Sequence, residues 1–521
     1  MSDESPERMM REGGKLSLLT MVSRVLGLVR EMTKAAFMGT GALAEAFTVS
    51  FMIPNFLRRL FAEGSITVAF IPTFTGFLAE KDEKKTREFL SASFTVLTIL
   101  VLATVALGIA CTPLLASLFR TDRGETIILT RLMFPFLALV SIAALLQGIL
   151  NSVGVFVPSG LGPILFNVCF IAVPFLIGGW IENPARAMAV GVLAGGVAQA
   201  LCQLPSVLRS GFRFGFIGVK AAFGNPGMRK VLALIAPTIL GMAAYQVNDL
   251  VCTSLASSVN AAAGIQYSIR LQELILGIFA VSAGTVLLPH LTAAARRADW
   301  PAFSTDLGRV MKTMVLVTLP VALFSMIAGR EMITLLFKAR AFGEDSVALT
   351  VSVFFFHMIG LVFIALNRVI APAFYARSDA KTPTWAGLVS FGVNIVLAFA
   401  FVGPFRGRGI ALALSLSSAI NTVFLVIALS RSGIPGASSA LFGAFKYLLR
   451  ILAFSLSAAL PLYFLRPFFV NLFAFSGSRL VGAGLPLLLE ALLYGSIGLF
   501  FLAISRDEMA RSLIRRISRR H

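Results

Sequence analysis

Arg24, Arg30, Arg58, Arg59 and Arg270 lie inside stretches of sequence apolar enough to be membrane spans. Arg24 and Arg30 fall in a stretch over roughly residues 16–38, Arg58 and Arg59 in one over roughly 43–78, and Arg270, with Glu273, in one over roughly 263–292. A charge at the bilayer centre costs at least about 2.5–3.5 kcal/mol. A chain that keeps several of them faces them to a wet interior where they bind something. Arginine does not give up its proton, and its planar fork of donors fits phosphate or carboxylate. At 1.5 Å per helical residue, Arg24 and Arg30 sit about 12 and 21 Å from the inner end of their span, Arg58 about 22 Å and Arg270 about 10 Å from the outer ends of theirs. All four reach the middle third of a hydrocarbon core about 30 Å thick. These types at these depths point to a polytopic carrier whose central cavity receives an anion.

A second reading stands beside the first. Arg59 and Glu63 are four apart, Arg270 and Glu273 three apart, and Arg24 and Glu31 share a face at seven apart, so each set can pair internally. Pairs at that depth still mark a water-filled cavity, and the acids would compete with an anionic substrate. Pro54, Gly64 and Pro72 interrupt the second span; the break either lines the cavity or is an ordinary proline kink. Asp249, beside Asn248 deep in the seventh span, is a candidate cation-coupling carboxylate. Glu490 in the last span has no assignable role, and His290 and His357 read as packed or interfacial residues.

Other chemistries lack their residues. Cys111, Cys169, Cys202 and Cys252 are scattered through apolar stretches without paired spacing, so neither a disulfide framework nor a zinc site is expected, and no metal site or cofactor is assigned. Gly13-Gly14-Lys15-Leu16-Ser17 lacks the first glycine spacing of a phosphate loop, and the hydrolase signatures His-Glu-x-x-His and Gly-x-Ser-x-Gly do not occur. The chain is therefore not read as an enzyme, and uphill transport would draw on a gradient.

The elements that must position these residues follow from composition. The 521 residues are 57% apolar and 13% charged, with mean hydropathy +0.87, which excludes an ordinary soluble domain. A net charge of +20 would suggest nucleic acid in a soluble protein. Here the basic residues fall mostly in loops and tails, which assigns them to topology and anionic headgroups. Residues 1–15 are polar and lack the charged-then-apolar pattern of a cleaved leader. Apolar runs of bilayer length predict about fourteen spans. After 16–38 and 43–78 come roughly 88–117, 126–152, 157–180, 185–207, 228–257, 263–292, 308–338, 345–375, 384–403, 407–431, 446–467 and 480–503. Lys81, Lys84, Lys85 and Arg87 follow span 2, Arg209, Arg213, Lys220, Arg229 and Lys230 follow span 6, and Arg296, Arg297, Arg309 and Lys312 follow span 8. With the basic tail from Arg506 to Arg520, this places both termini in the cytoplasm. Trp180, at an outer span end, fits an interfacial anchor.

An internal repeat organises the spans. Val68–Phe74 and Thr285–Leu291 end spans 2 and 8, Thr112–Phe119 and Arg330–Phe337 end spans 3 and 9, and Asn167 and Asn394 fall in spans 5 and 11, at offsets of 217, 218 and 227. An even number of spans per copy gives both copies one orientation, with the site between two lobes. The expected fold is all-α, with two pseudo-symmetric six-helix lobes, 1–222 and 223–435, and two further helices with a basic tail in 436–521.

The motifs Ser23-Arg24-Val25-Leu26-Gly27-x-x-Arg30, Pro54-Asn55-x-Leu57-Arg58-Arg59-Leu60-Phe61-Ala62-Glu63-Gly64, Arg270-Leu271-x-Glu273, Gly284-Thr285-Val286-Leu287-Leu288-Pro289 and Phe374-Tyr375-x-Arg377-x-Asp379-x-Lys381-Thr382-Pro383 resemble those of the MurJ (MviN) family of lipid II flippases. That family belongs to the superfamily of multidrug and oligosaccharidyl-lipid exporters. The resemblance implies fourteen helices, two of them bordering a groove for a lipid tail, in a bacterial inner membrane. It implies that Arg24, Arg30, Arg58 and Arg270 are essential cavity arginines and that Glu45 and Glu63 match acidic cavity positions. It implies lipid II as substrate, membrane lipids and the cell-wall synthesis machinery as partners, and no nucleic acid. A cation site is partly recognisable through Asp249 and Asn394, so coupling to membrane potential or a monovalent cation is the expectation. Glu31 stands where relatives often have aspartate, and Ile269 precedes Arg270 where some carry aspartate. The competing readings are a flippase for another lipid-linked oligosaccharide and a non-transporting scaffold of cell-wall assembly. An exporter of cationic drugs is disfavoured, because its site would be acidic and aromatic.

Overall fold

In a computed structural model of the chain, residues 6–60 and 69–511 are described, apart from the side chains of 6–13, 15–17, 236–242, 244 and 278–288. Among them all regular structure is helical. Packing divides the chain at Asn260/Ala261 into two compact units.

The first unit comprises α1 (Pro6–Met38), α2 (Ala42–Arg58), α3 (Ile71–Glu80), α4 (Glu83–Ser117), α5 (Arg123–Met133), α6 (Phe136–Ser152), α7 (Val157–Ile177), α8 (Pro184–Leu201), two short helices α9 (Leu204–Arg209) and α10 (Val219–Gly224), and α11 (Pro226–Ser257). The second comprises α12 (Ala262–Arg296), α13 (Trp300–Ile327), α14 (Gly329–Phe337), α15 (Glu344–Tyr375), α16 (Lys381–Phe405), α17 (Gly407–Ser430), α18 (Ala437–Leu472) and α19 (Leu485–Ile504), the last entered through a π-helical turn, Leu480–Gly484. The protein is an all-α polytopic membrane protein. Ten helical stretches among the described residues are long and apolar enough to cross a bilayer. The expected spans 1, 2, 7 and 8, which hold the intramembrane charges, correspond to α1, α2 with α3, α11 and α12.

Three expected spans, 4, 6 and 9, are not continuous helices; span 6 is α8 and α9, parted at Cys202-Gln203. The described parts of span 2 are α2 and α3, with π-helical backbone at 59–60 and 69–70; residues 61–68, Gly64 among them, lie outside the described residues. Pro72 sits in the first turn of α3, where its missing N–H costs nothing. Span 4 is α5 and α6, parted at Phe134-Pro135, and span 9 is α13 and α14, parted at Ala328. Each run is apolar across its break, so hydropathy joins what the backbone separates.

The sequence boundary at 222/223 and the packing boundary at 260/261 differ by one helix, α11. This helix packs on α2, α3, α4 and α10. Asn225 caps its first turn by accepting from Met228 N at 3.2 Å. A Cβ on Gly227 would lie 2.5 Å from the Phe77 ring and 2.6 Å from that of Phe89. Only glycine lets the start of α11 seat on this aromatic stack, in which Phe77 and Phe89 lie 4.7 Å apart and Phe70 and Phe89 5.7 Å apart. Between polar ends, Glu125 on α5 receives Arg186 (2.8 and 3.1 Å) and Asn183 (2.9 Å) from the start of α8. In the second unit, His357 on α15 is buried, with Nδ1 2.6 Å from the Ser268 hydroxyl of α12. It is a packed residue, as its sequence setting implies. Trp180 stands just beyond α7 and is 88% exposed.

Candidate functional site

α1 and α7 pack against each other, and their seam carries the best-defined cation of the first unit. Gly27 faces Asn167 of α7, where a Cβ would make an ordinary contact at 4.0 Å from the amide nitrogen. Asn167 donates through Nδ2 to the Ser23 carbonyl of α1 at 3.2 Å. That bond fixes which way the amide points, so Oδ1 faces Arg30, two turns beyond Ser23 along α1. Arg30 Nη1 donates to Oδ1 at 3.0 Å.

On its other side, Arg30 donates to Glu31 Oε1 through Nη2 at 2.8 Å and Nε at 3.3 Å. Lys34, one turn on, lies with Nζ 2.9 Å from the second oxygen of Glu31. The Phe166 and Phe170 rings of α7 lie 5.9 and 5.6 Å from the Arg30 guanidinium carbon, within range of cation–π attraction. Glu31, Lys34 and Asn167 are each under one-tenth exposed. One carboxylate therefore sits between two cations. These three charged side chains sum to one positive charge, and Arg30 has three of its five N–H donors engaged.

α2 carries a second set. Glu45 is 2% exposed in the first turn, where a carboxylate meets the positive end of the helix dipole. Arg58 occupies the last turn, where a cation is favoured, and its Nε donates to Asn55 Oδ1 at 2.8 Å. The backbone then changes to π-helical at Arg59-Leu60, a distortion common at functional positions. Arg59 is half-buried there. Glu63, its expected partner, lies outside the described residues.

Within the second unit, Arg270 Nη1 lies 2.7 Å from Glu273 Oε2, with the two side chains 37% and 49% exposed. The pair expected from their spacing forms, at a position open enough for an anion to compete. Asn394 is buried on α16, and Asp249 is half-buried on α11. Among the described residues no cluster of three or more His, Cys, Asp or Glu could hold a metal ion.

The sequence profile of lipid II flippase MurJ matches residues 34–478. The chain belongs to the MurJ family. It is 44% identical over 522 residues to the probable lipid II flippase MurJ of Treponema pallidum (strain Nichols), covering 99% of both chains. It is 32% identical over 434 residues to the lipid II flippase MurJ of Burkholderia cenocepacia, covering 80% of this chain and 83% of that one. Its fold is shared with a lipid II flippase MurJ solved in an inward closed conformation, at TM-score 0.77 and 23% identity over 96% of this chain and 99% of that one. A multidrug resistance MATE family transporter of the MOP superfamily, solved inward-facing, matches at TM-score 0.64 and 15% identity over 83% and 98%.

Of the expected residues, the structure binds Arg30 to Glu31 and Arg270 to Glu273, and puts Arg24, Arg58, Arg59 and Glu45 on the same two helices, α1 and α2, or at their ends. Arg24 is exposed two turns before Arg30. Two residues central to this MurJ site were not singled out for it. Lys34 has no place in the sequence reading, and Asn167 marks only the repeat there. Their signal was a polar side chain within an apolar run, the same signal that exposed the arginines.

Proposed function

We propose that this chain moves lipid II from the inner to the outer leaflet of a bacterial inner membrane by alternating access. Lipid II carries a pyrophosphate between a sugar-peptide headgroup and a polyprenyl tail. The observation that carries the reading is Arg30: a guanidinium packed between α1 and α7, aimed by Asn167 and paired with Glu31. Charge-assisted bonds from Arg30, Arg24 and Arg58, and from Arg270 when Glu273 yields, would take up the pyrophosphate and peptide carboxylates. Glu45, Glu63 and Arg59 would tune the charge those cations present. The tail stays in lipid while the headgroup passes through the wet interior, and the two sequence repeats alternate their exposure to either side.

The full count of fourteen spans, with both termini cytoplasmic, belongs to this reading. An inside-negative potential favours outward movement of an anion by about 2.3 kcal/mol per charge per 100 mV. A monovalent cation taken up at Asp249, with Asn394, would help the empty carrier return. Coupling to cell-wall synthesis enzymes, which consume the product on the outer face, would keep the flow outward.

The test is outer-leaflet lipid II in cells depleted of their own flippase and expressing this chain, Arg58→Ala or Arg270→Ala at matched membrane levels. Wild type is expected to restore surface lipid II and both variants to fail. Variants as active as wild type would make the arginines structural and overturn the mechanism. A stably inserted wild type that fails would assign the chain to a different lipid-linked sugar.

A further inference from the structure

The second unit contains a charged cluster that the anion site does not use. Arg466 on α18 holds Glu331 on α14 with Nη2–Oε1 at 2.8 Å and Nε to the two oxygens at 3.1 and 3.2 Å. On α19, which packs against both of these helices, Glu490 is fully buried, with neither carboxylate oxygen hydrogen-bonded. Glu331 and Arg466 are the charged groups whose fields reach it. α19 packs on α18, α14 and the π-helical turn that precedes it, and Tyr494 meets Phe324 of α13 at 5.5 Å; the charged side chains of α13, Asp306, Arg309 and Lys312, lie more than three turns before Phe324. The turn, Leu480-Val481-Gly482-Ala483-Gly484, has no ionisable side chain, so no further charge faces Glu490 from it.

The arrangement poses a charge problem with one economical solution. Arg466 is committed to Glu331 by a bidentate contact. An ionised Glu490 would put a second carboxylate on the same cation, without a donor, inside the membrane. A buried carboxylate in that position is neutralised by a proton. α19 is also weakly tied to the rest of the unit: its buried side chains are Pro486, Glu490 and Tyr494, a single stripe at helical spacing with the acid at its middle. The helix is entered through two glycines in a π-helical turn, a geometry that accommodates reorientation.

We infer that Glu490 is a proton-binding site whose occupancy is coupled to the docking of α19. With the proton bound, the cluster of Glu331, Arg466 and Glu490 is neutral and α19 stays seated on α14 and α18. Loss of the proton leaves the cluster with one excess negative charge, and α19 relieves it by moving Glu490 out of the seam. The balance is one proton bound per docking and one released per undocking. This site lies outside the anion-binding helices and does not depend on which lipid the chain carries.

The test uses the full chain in nanodiscs of phosphatidylethanolamine and phosphatidylglycerol, in a background with the four native cysteines replaced. Spin labels go on the lipid-facing positions Leu460 of α18 and Leu492 of α19, which are 62% and 60% exposed. Infrared difference spectra should show a carbonyl band of a neutral carboxylic acid that is lost in Glu490→Gln. The label-to-label distance distribution should broaden reversibly as pH rises in wild type and stay narrow in Glu490→Gln. A carboxylic acid band unchanged in Glu490→Gln would overturn the inference, and so would a distance distribution that ignores pH. If Glu490→Gln does not insert, the wild-type titration decides alone: the band must disappear over the same pH range in which the distribution broadens, and any other result refutes the coupling.

Discussion

Asn167→Asp separates a structural arginine from a working one. The substituted oxygen that faces Arg30 keeps the position of Oδ1, 3.0 Å from Nη1, but the bond becomes an ion pair. Hydrogen bonds to charged groups contribute about 1.5–3 kcal/mol and neutral ones about 0.5–1.5 kcal/mol. The substitution strengthens the first kind and replaces the second, the 3.2 Å bond to the Ser23 carbonyl, by a contact between two acceptors, a loss that the gain at Arg30 partly offsets. Stability should therefore change by no more than about 1–2 kcal/mol. The charge balance changes far more. Arg30, Lys34 and Glu31 sum to one positive charge, and the added carboxylate cancels it. A substrate anion must then displace a pair worth about 1.5–3 kcal/mol, which corresponds to about 10- to 100-fold weaker occupancy. The assay is outer-leaflet lipid II at matched expression, read beside the melting temperature of the purified protein. The expected result is a near-normal melting temperature with transport reduced at least tenfold. Asn167→Ala should do the reverse in stability, lowering the melting temperature through two lost bonds. Wild-type transport in Asn167→Asp would refute the assignment of Arg30 to substrate.

Two further predictions concern the scaffold. A Cβ on Gly108 of α4 would fall 2.2 Å from the fully buried Phe134 ring, so Gly108→Ala should destabilise by about 1–3 kcal/mol through overpacking; an unchanged melting temperature would mean that the ring moves aside freely. Asp379, before α16, accepts from the Thr382 hydroxyl at 2.7 Å and the Thr382 backbone N–H at 3.0 Å, and these bonds, the hydroxyl first, hold its carboxyl below the usual aspartate value. A lowered folded value means stability that is present above the unfolded value of about 3.9 and lost as pH falls through the folded one. The melting-temperature gap between wild type and Asp379→Ala should be clear at neutral pH, at the low end of the about 0.5–2 kcal/mol of a helix cap, and should close in acid; a gap independent of pH would show that the carboxylate charge plays no part.

Much of this architecture was legible because membrane spans announce themselves by length and apolarity, and intramembrane charge by its rarity. The Arg270–Glu273 pair followed directly from helical spacing. The partners of Arg30 did not, because Asn167 lies 137 residues away and meets it only where α1 and α7 pack. Glu31, which shares a face of α1 with Arg24, bonds its neighbour Arg30 and Lys34 as well: a long guanidinium can fold back on an adjacent carboxylate, which spacing rules do not register. Breaks at Phe134-Pro135 and Ala328 were hidden inside runs that remain apolar throughout. Arg466 carried the same signal as the other intramembrane arginines, but its significance depends on Glu331 and Glu490, which come from two other helices.

The outward surface of α19 places part of this molecule's architecture in its solvent. Leu488, Leu492, Leu499 and Phe500 are each more than half exposed, while the inward stripe is three residues wide. Acyl chains are as apolar as leucine, so no hydrophobic force drives such a helix onto its neighbours. What keeps α19 upright and in place is the bilayer itself: its thickness, its lateral pressure and the annular lipids that fill the grooves between leucines. Sequence drift on that face is then limited only by oiliness, and adaptation to a thinner or more fluid membrane can occur there without touching the charged interior. α19 is in this sense shared property, half protein and half lipid phase, and the composition of the host membrane belongs to the specification of the fold.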